Sequence, residues 1–376
     1  MLNDSNIYFL LEDFFKNATI LIFLFSFLVL AQKKVGFSNL ILLAFFVSIC
    51  FPFFLYNYLF DINYMYDLKV YADNIILFRE LDFFSIKPNN FKNYSFTSLY
   101  SLVPLPFLDS IIRIGFASKL IYLIFMIYLI KKKYIKNNSF MLLILIFWPS
   151  MILYSSLGLR ELIIFIISFF FFKSLIEEKI ITWILLLAIL ALIKPQNAGI
   201  MLIVSIIYVS INYFKSIFLF LIILIIAAIY FSNNIITIFD MIMDNLNFYK
   251  KALYQEDNNL NNYYELNYNF DLLLIFFKGA GHFIISPFLW DVKNVFQLIQ
   301  SLENLAIVSF ILFYSYKSFK IDKWITIFII FTLFFYAGVY GLVVSNAGTI
   351  ARWRFPMFGT TLLMLYLLNN KSIKLK

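Results

Sequence analysis

The sequence predicts an all-α, polytopic integral membrane protein, a single transmembrane domain over residues 1–376 with two long external loops. Three observations predict it. Hydrophobic residues make up 63% of the chain and charged ones only 14%, with mean hydropathy +0.88, whereas soluble domains are nearer half apolar and a quarter charged. Apolar runs close to the roughly 20 residues that cross a bilayer recur from end to end. Lysines gather at alternate gaps between those runs, which is how a chain records its sidedness.

Taken in order, the runs fall at 14–32, 37–58, 111–130, 139–157, 160–176, 180–194, 197–214, 216–232, 302–319, 323–345 and 355–369, about 11 transmembrane helices by the length rule. Pro149 bends the fourth, and Pro195 opens the seventh, where a missing N–H does no harm. The runs at 180–194 and 355–369 are short for a bilayer and fit a thin or tilted region. The polar length of the chain sits in external loops at 57–104 and 232–303. Within the second, an Asn/Tyr-rich patch at 258–264 reads as solvated. Leu272 to Trp290 follows, too polar for a lipid-facing span because of Lys278, Gly279, Gly281 and His282. It is expected as an interfacial or re-entrant helix pair broken at the glycines. Ala347 to Pro356 is expected as a short polar turn between the last two spans, and charges are expected at span ends.

Fifteen lysines, among them Lys33, Lys131, Lys173, Lys179, Lys215, Lys320 and Lys371, fall on one side against Glu177, Glu178 and Asp322. That side is cytoplasmic by the positive-inside rule, with the N-terminus outside and the C-terminus inside. All five arginines, Arg79, Arg113, Arg160, Arg352 and Arg354, fall on the other. The contrast matters because a guanidinium grips phosphate through two parallel hydrogen bonds and an ammonium does not.

Composition also excludes. The net charge of +9 reports topology and anionic lipid rather than nucleic acid. One cysteine, Cys50, allows no intrachain disulfide, and one histidine allows no multi-histidine metal site. No P-loop, dinucleotide fingerprint or zinc motif is present, and no cofactor or metal is expected. Asp4, Glu12 and Asp13 precede the first apolar run, so no cleavable signal peptide is expected.

Candidate site residues lie on the external side. Arg160 and Glu161 open a helix whose positive dipole end faces outward, an anion site that needs no metal; Glu161 caps or neutralises the arginine. Arg352 and Arg354 stand at the polar turn. Lys194, in Lys194-Pro195-Gln196-Asn197, is either a second anion contact or a snorkelling helix cap. His282 is the sole imidazole and suits a general base. Trp290 beside Asp291 offers an aromatic platform with a carboxylate. Asp61 and Arg79 lie in the first loop among tyrosines, a fair carbohydrate-binding surface.

Three segments, Trp148-Pro149-Ser150 to Arg160-Glu161, Gly279-Ala280-Gly281-His282 to Trp290-Asp291, and Gly348 to Pro356, give the chain a resemblance to the bacterial O-antigen (Wzy-type) repeat-unit polymerases. The resemblance covers the whole chain loosely and is mostly architectural. It implies glycosyl transfer at the periplasmic face of the inner membrane, between a donor and an acceptor glycan each carried on undecaprenyl pyrophosphate. It also implies membrane lipid around the chain, a chain-length regulator protein as a partner, and no nucleic acid. Arg160, Arg352 and Arg354 would hold the leaving pyrophosphate with Lys194 secondary; His282, Asp61 or Asp291 would take the acceptor proton. Two alternatives stand beside it. A polyprenyl-phosphate-sugar glycosyltransferase would carry paired acids in its first external loop, and a flippase or transporter would show charges inside its spans.

Overall fold

A computed structural model describes residues 4–56, 66–80, 91–136, 139–214, 232–256, 265–266, 270–344 and 346–372. Asp61, all but the last residue of the expected span at 216–232, and the Asn/Tyr-rich patch lie outside them. Every regular element among the described residues is helical. Among the described residues, four helical stretches, Glu12–Val35, Ile111–Lys131, Val295–Phe319 and Lys323–Gly341, are long and apolar enough to cross a membrane, which marks the chain as a membrane protein. The chain divides into two compact units, Met1–Ile166 and Ile167–Lys376.

The first unit holds α1 (Asp4–Val35), α2 (Asn39–Phe54), α3 (Tyr66–Arg79), α4 (Phe91–Ser101), α5 (Ile111–Lys131), α6 (Phe140–Phe147), α7 (Pro149–Ser156) and the start of α8 (Arg160–Ile176). Serines open three of them: the side chains of Ser38, Ser110 and Ser139 accept from the backbone N–H groups of Ile41, Arg113 and Leu142. Each satisfies one of the donors that every helix start leaves over. The buried helix α5 is the centre, with α1, α2, α3, α4 and α7 packed around it. The expected fourth span is two helices, α6 and α7, meeting at Trp148. Pro149 has no N–H to give the carbonyl of Leu145, four residues back. The Tyr122 hydroxyl, reaching from α5, donates to that carbonyl at 2.7 Å instead.

The second unit holds most of α8, then α9 (Ile180–Ile193), α10 (Pro195–Phe214), α11 (Ser232–Glu256), α12 (Phe270–Ile285), α13 (Val295–Phe319), α14 (Lys323–Gly341) and α15 (Ala347–Asn369). Helix α12 lies against α14, α13 against α15, and α10 against both α9 and α14. Two expectations are corrected here. Gly279 and Gly281 do not break a helix pair, because α12 runs through both without interruption. Gly279 serves close approach: a Cβ there would meet the Gly341 carbonyl carbon at 2.8 Å, so α12 and α14 touch backbone to backbone. Ala347 to Pro356 is not a turn either. Asn346 caps α15 by accepting from Gly348 N–H at 2.8 Å, and the helix continues through Pro356 to Asn369. Arg352 and Arg354 are therefore helical residues.

Candidate functional site

In the second unit, the C-terminal ends of α9, α12 and α14 and the N-terminal ends of α10, α13 and α15 come together. Lys194 is the single residue between α9 and α10, and it is buried. Its ammonium lies 4.4 Å from the ring centre of Trp353 and 5.1 Å from that of Tyr340. Cation–π contact and the negative end of α9 both favour a cation in this place. The Tyr340 hydroxyl donates to Asn197 on the first turn of α10. The Tyr340 ring stacks on Phe283 of α12 and meets the edge of Trp353 on α15. The Trp353 carbonyl accepts from the Tyr336 hydroxyl at 2.8 Å.

The exit of α12 explains Arg354. A helix leaves its last carbonyls without N–H partners, and each one buried unsatisfied costs about 1–3 kcal/mol. Arg354, itself buried, donates from Nη1 to the carbonyls of Phe283, Ile284 and Ser286 at 2.8–2.9 Å. Asn304 of α13 donates to Ile285 and Ser286 at 3.2 and 2.8 Å. The Ser286 N–H closes the last turn onto the His282 carbonyl. Arg354 thus secures the end of the helix that carries His282.

His282 is half-buried one turn before that end, its ring 6.0 Å from Phe288. The charges acting on it are the Asp291 carboxylate and the Arg354 guanidinium, which are opposite in sign. Beyond the cis Ser286–Pro287 bond, Phe288 and Trp290 stack at 4.9 Å with 11° between ring planes. Trp290 is 80% exposed, so one face of that pair is open to sugar or lipid. Arg352 lies two residues from Arg354 in α15 and is partly exposed. Of the predicted residues, the structure thus brings Lys194, His282, Asp291 and Arg354 into this end of the second unit, with Arg352 and Trp290 carried by the same elements.

The remaining predicted residues belong to the first unit. Arg79 holds a turn: its guanidinium donates to the carbonyls of Ser101, Val103 and Leu105 at 2.6–3.2 Å. Arg113 is neutralised by Asp13 and Asp109 at 3.0 and 2.6 Å, and Lys16 joins the network through Glu12 and Asp109. Arg160 is the first residue of α8, with Nε buried and making no hydrogen bond among the described residues. Glu161 beside it is fully buried and close enough to Tyr100 to act on its hydroxyl.

One residue escapes the expectation that charges sit at span ends. Lys119 is fully buried inside α5, donating to the hydroxyls of Ser48 and Ser155 at 3.1 and 2.7 Å. Its signal is visible in the sequence, a lone lysine within Ile-Gly-Phe-Ala-Ser-Lys-Leu-Ile-Tyr-Leu-Ile. Counting lysines for topology passes over it. No metal-binding group of three or more acidic, histidine or cysteine side chains forms among the described residues. No family model, no curated protein and no solved structure matches the chain.

Proposed function

We propose that the chain is a membrane glycosyltransferase of the repeat-unit polymerase kind. It spans a bacterial inner membrane about 11 times, with the arginine-bearing ends of its helices facing the periplasm. The observation that carries this reading is the set of groups at one end of the second unit: the Lys194, Arg352 and Arg354 cations, His282 under the charge of Asp291, and the stacked Phe288–Trp290 face.

Four of these groups, His282, Arg352, Arg354 and Trp290, are given a part in the reaction. The acceptor hydroxyl oxygen attacks the anomeric carbon of the donor, the bond from that carbon to the pyrophosphate oxygen breaks, and the acceptor proton passes to the His282 imidazole. Undecaprenyl pyrophosphate leaves, and its developing charge needs preorganised cations. Arg352 is assigned to those oxygens, and the resemblance offers Arg160 as an independent candidate for the same role. Arg354 positions His282 through the end of α12. Trp290 offers its face to a sugar ring. A chain-length regulator protein is the partner such a polymerase would take.

The test is conversion of a purified lipid-linked repeat unit by the wild type and by Arg352→Lys and Arg160→Lys. Keeping the charge while losing the two-pronged geometry is expected to slow polymer formation by about 100-fold. Unchanged polymer in both variants removes the site assignment.

The buried Lys119 favours a second reading, a flippase for the same lipid-linked sugars, because ionisable groups within spans mark transport paths. Deletion strains separate the two. Loss of a polymerase leaves single repeat units on the surface, and loss of a flippase leaves none.

A further inference from the structure

The first unit contains a second polar site, made of residues the proposed reaction does not use. Lys119 lies eight residues into α5, about 12 Å along the helix axis at 1.5 Å per residue. The Ser48, Pro52 and Tyr56 side chains share one face of the preceding segment at four-residue spacing, and Ser155 and Ser156 close α7. The three segments meet at Gly115. A Cβ there would collide with the Ser156 carbonyl oxygen and come within 3.0 Å of the Tyr56 ring and 3.4 Å of Pro52. Glycine at this position is what lets these groups close around α5.

The hydrogen bonding inside is incomplete. Lys119 has three donors, and among the described residues they reach only the two serine hydroxyls, with no carboxylate within ion-pair distance. The Tyr56 hydroxyl and the Ser156 hydroxyl are buried and have no partner among the described residues. The Tyr100 hydroxyl, bonded to Ser118 at 3.0 Å, borders the same stretch of α5. Glu161 is buried and its charge acts on the Tyr100 hydroxyl, but it makes no ion pair with Lys119. Apolar surroundings reject an ammonium met only by neutral hydroxyls and, at 5.4 Å, the face of the Tyr122 ring. One cation with several hydroxyls free to turn and donate is the donor set of an oxyanion.

We propose that Lys119, Ser48, Ser155, Ser156 and Tyr56 form a buried oxyanion site whose ligand is a phosphate group, carried either on a polyprenyl lipid or as free phosphate. The site is separate from the cluster of the second unit, and the proposal stands without the glycosyl-transfer reading.

Full-length protein purified in dodecyl maltoside is mixed with undecaprenyl phosphate or with inorganic phosphate, and retained ligand is read by native mass spectrometry. Wild type is expected to retain phosphate, Lys119→Met to retain it at least tenfold more weakly, and Ser155→Ala to fall between them. Each comparison is repeated in an Arg352→Met background, so that phosphate held at the proposed pyrophosphate site does not enter the result and failure of the polymerase assignment leaves it standing. Retention of the lipid that millimolar inorganic phosphate does not displace identifies a lipid headgroup; retention of inorganic phosphate alone identifies the free anion. Equal retention by wild type and Lys119→Met, or retention of neither probe by wild type, overturns the proposal. Losing an unpaired internal charge to a thioether of similar length is compatible with folding, and elution of each variant as the wild-type species checks it. Ser155→Ala carries the test should Lys119→Met fail to fold, and full retention in that variant then overturns the site.

Discussion

Arg352 and Arg354 stand two positions apart on one helix and are expected to fail differently when changed. Arg354 is buried and spends Nη1 on three carbonyls at the end of α12. Replacing it by Met leaves the Phe283 and Ile284 carbonyls unsatisfied, with Asn304 still serving Ser286, and is expected to lower unfolding stability by about 3 kcal/mol, read as a drop in Tm of the detergent-solubilised protein. Arg352→Lys is expected to leave stability within about 0.5 kcal/mol and to slow turnover by about 100-fold. A Tm loss in Arg352→Lys equal to that in Arg354→Met would place both arginines in the scaffold. The sequence offers no means of separating them, since whether a guanidinium meets a carbonyl or a ligand depends on which chain end the tertiary packing brings to it. Arg79, which secures Ser101 to Leu105, and Arg113, which pairs with Asp13 and Asp109, were hidden for the same reason.

At the scale of helices, the contact of Gly279 with Gly341 sets how close α12 and α14 lie. Gly279→Ala drives a methyl group into backbone, which cannot turn aside. It is expected to destabilise by about 1–3 kcal/mol. Gly338→Ala meets first the Cζ end of the Phe276 ring, which can swing aside about χ1 where backbone cannot, so the loss is expected to be smaller. Thermal unfolding of the two variants side by side checks the order. Glu177, in the turn between α8 and α9, gives a pH test. Burial pushes its carboxyl up, but hydrogen bonds from Lys173 and Lys179 together outweigh burial and hold it below the usual 4.5. Its folded value is depressed, so its stabilisation is fully present above about pH 4.5 and lost as pH falls through the lower folded value. Glu177→Gln is expected to remove that part of the acid dependence of Tm. Apolar length and helix-opening residues made most helices legible. The glycines of α12 and the polar start of α15 were misread, because a glycine that breaks a helix and one that admits a neighbour look alike until the neighbour is known.

For the whole molecule, membrane character was legible from composition, and helix boundaries followed within a few residues at α5, α8, α9 and α14. In the second unit, Lys173, Lys179, Lys317, Lys320, Lys323 and Lys371 cluster at the helix ends opposite Lys194 and Arg354. The proposed orientation turns this into an outcome. In a Cys50→Ser background, a cysteine at the exposed Lys293 is expected to react with an impermeant maleimide in cells whose outer membrane is permeabilised. One at Ile321 is expected to react only after lysis, and the reverse pattern would invert the topology.

The junction at Trp148 ties two distant residues into one fate. Tyr122 supplies to Leu145 what Pro149 withholds, so the tyrosine matters only while the proline is there. In a double-mutant cycle, Tyr122→Phe should harm the wild type more than it harms Pro149→Ala, whose regained amide hydrogen can serve the orphan carbonyl. Chains descended from this one would then be free to discard the phenol once the imino acid had gone, and seldom in the opposite order.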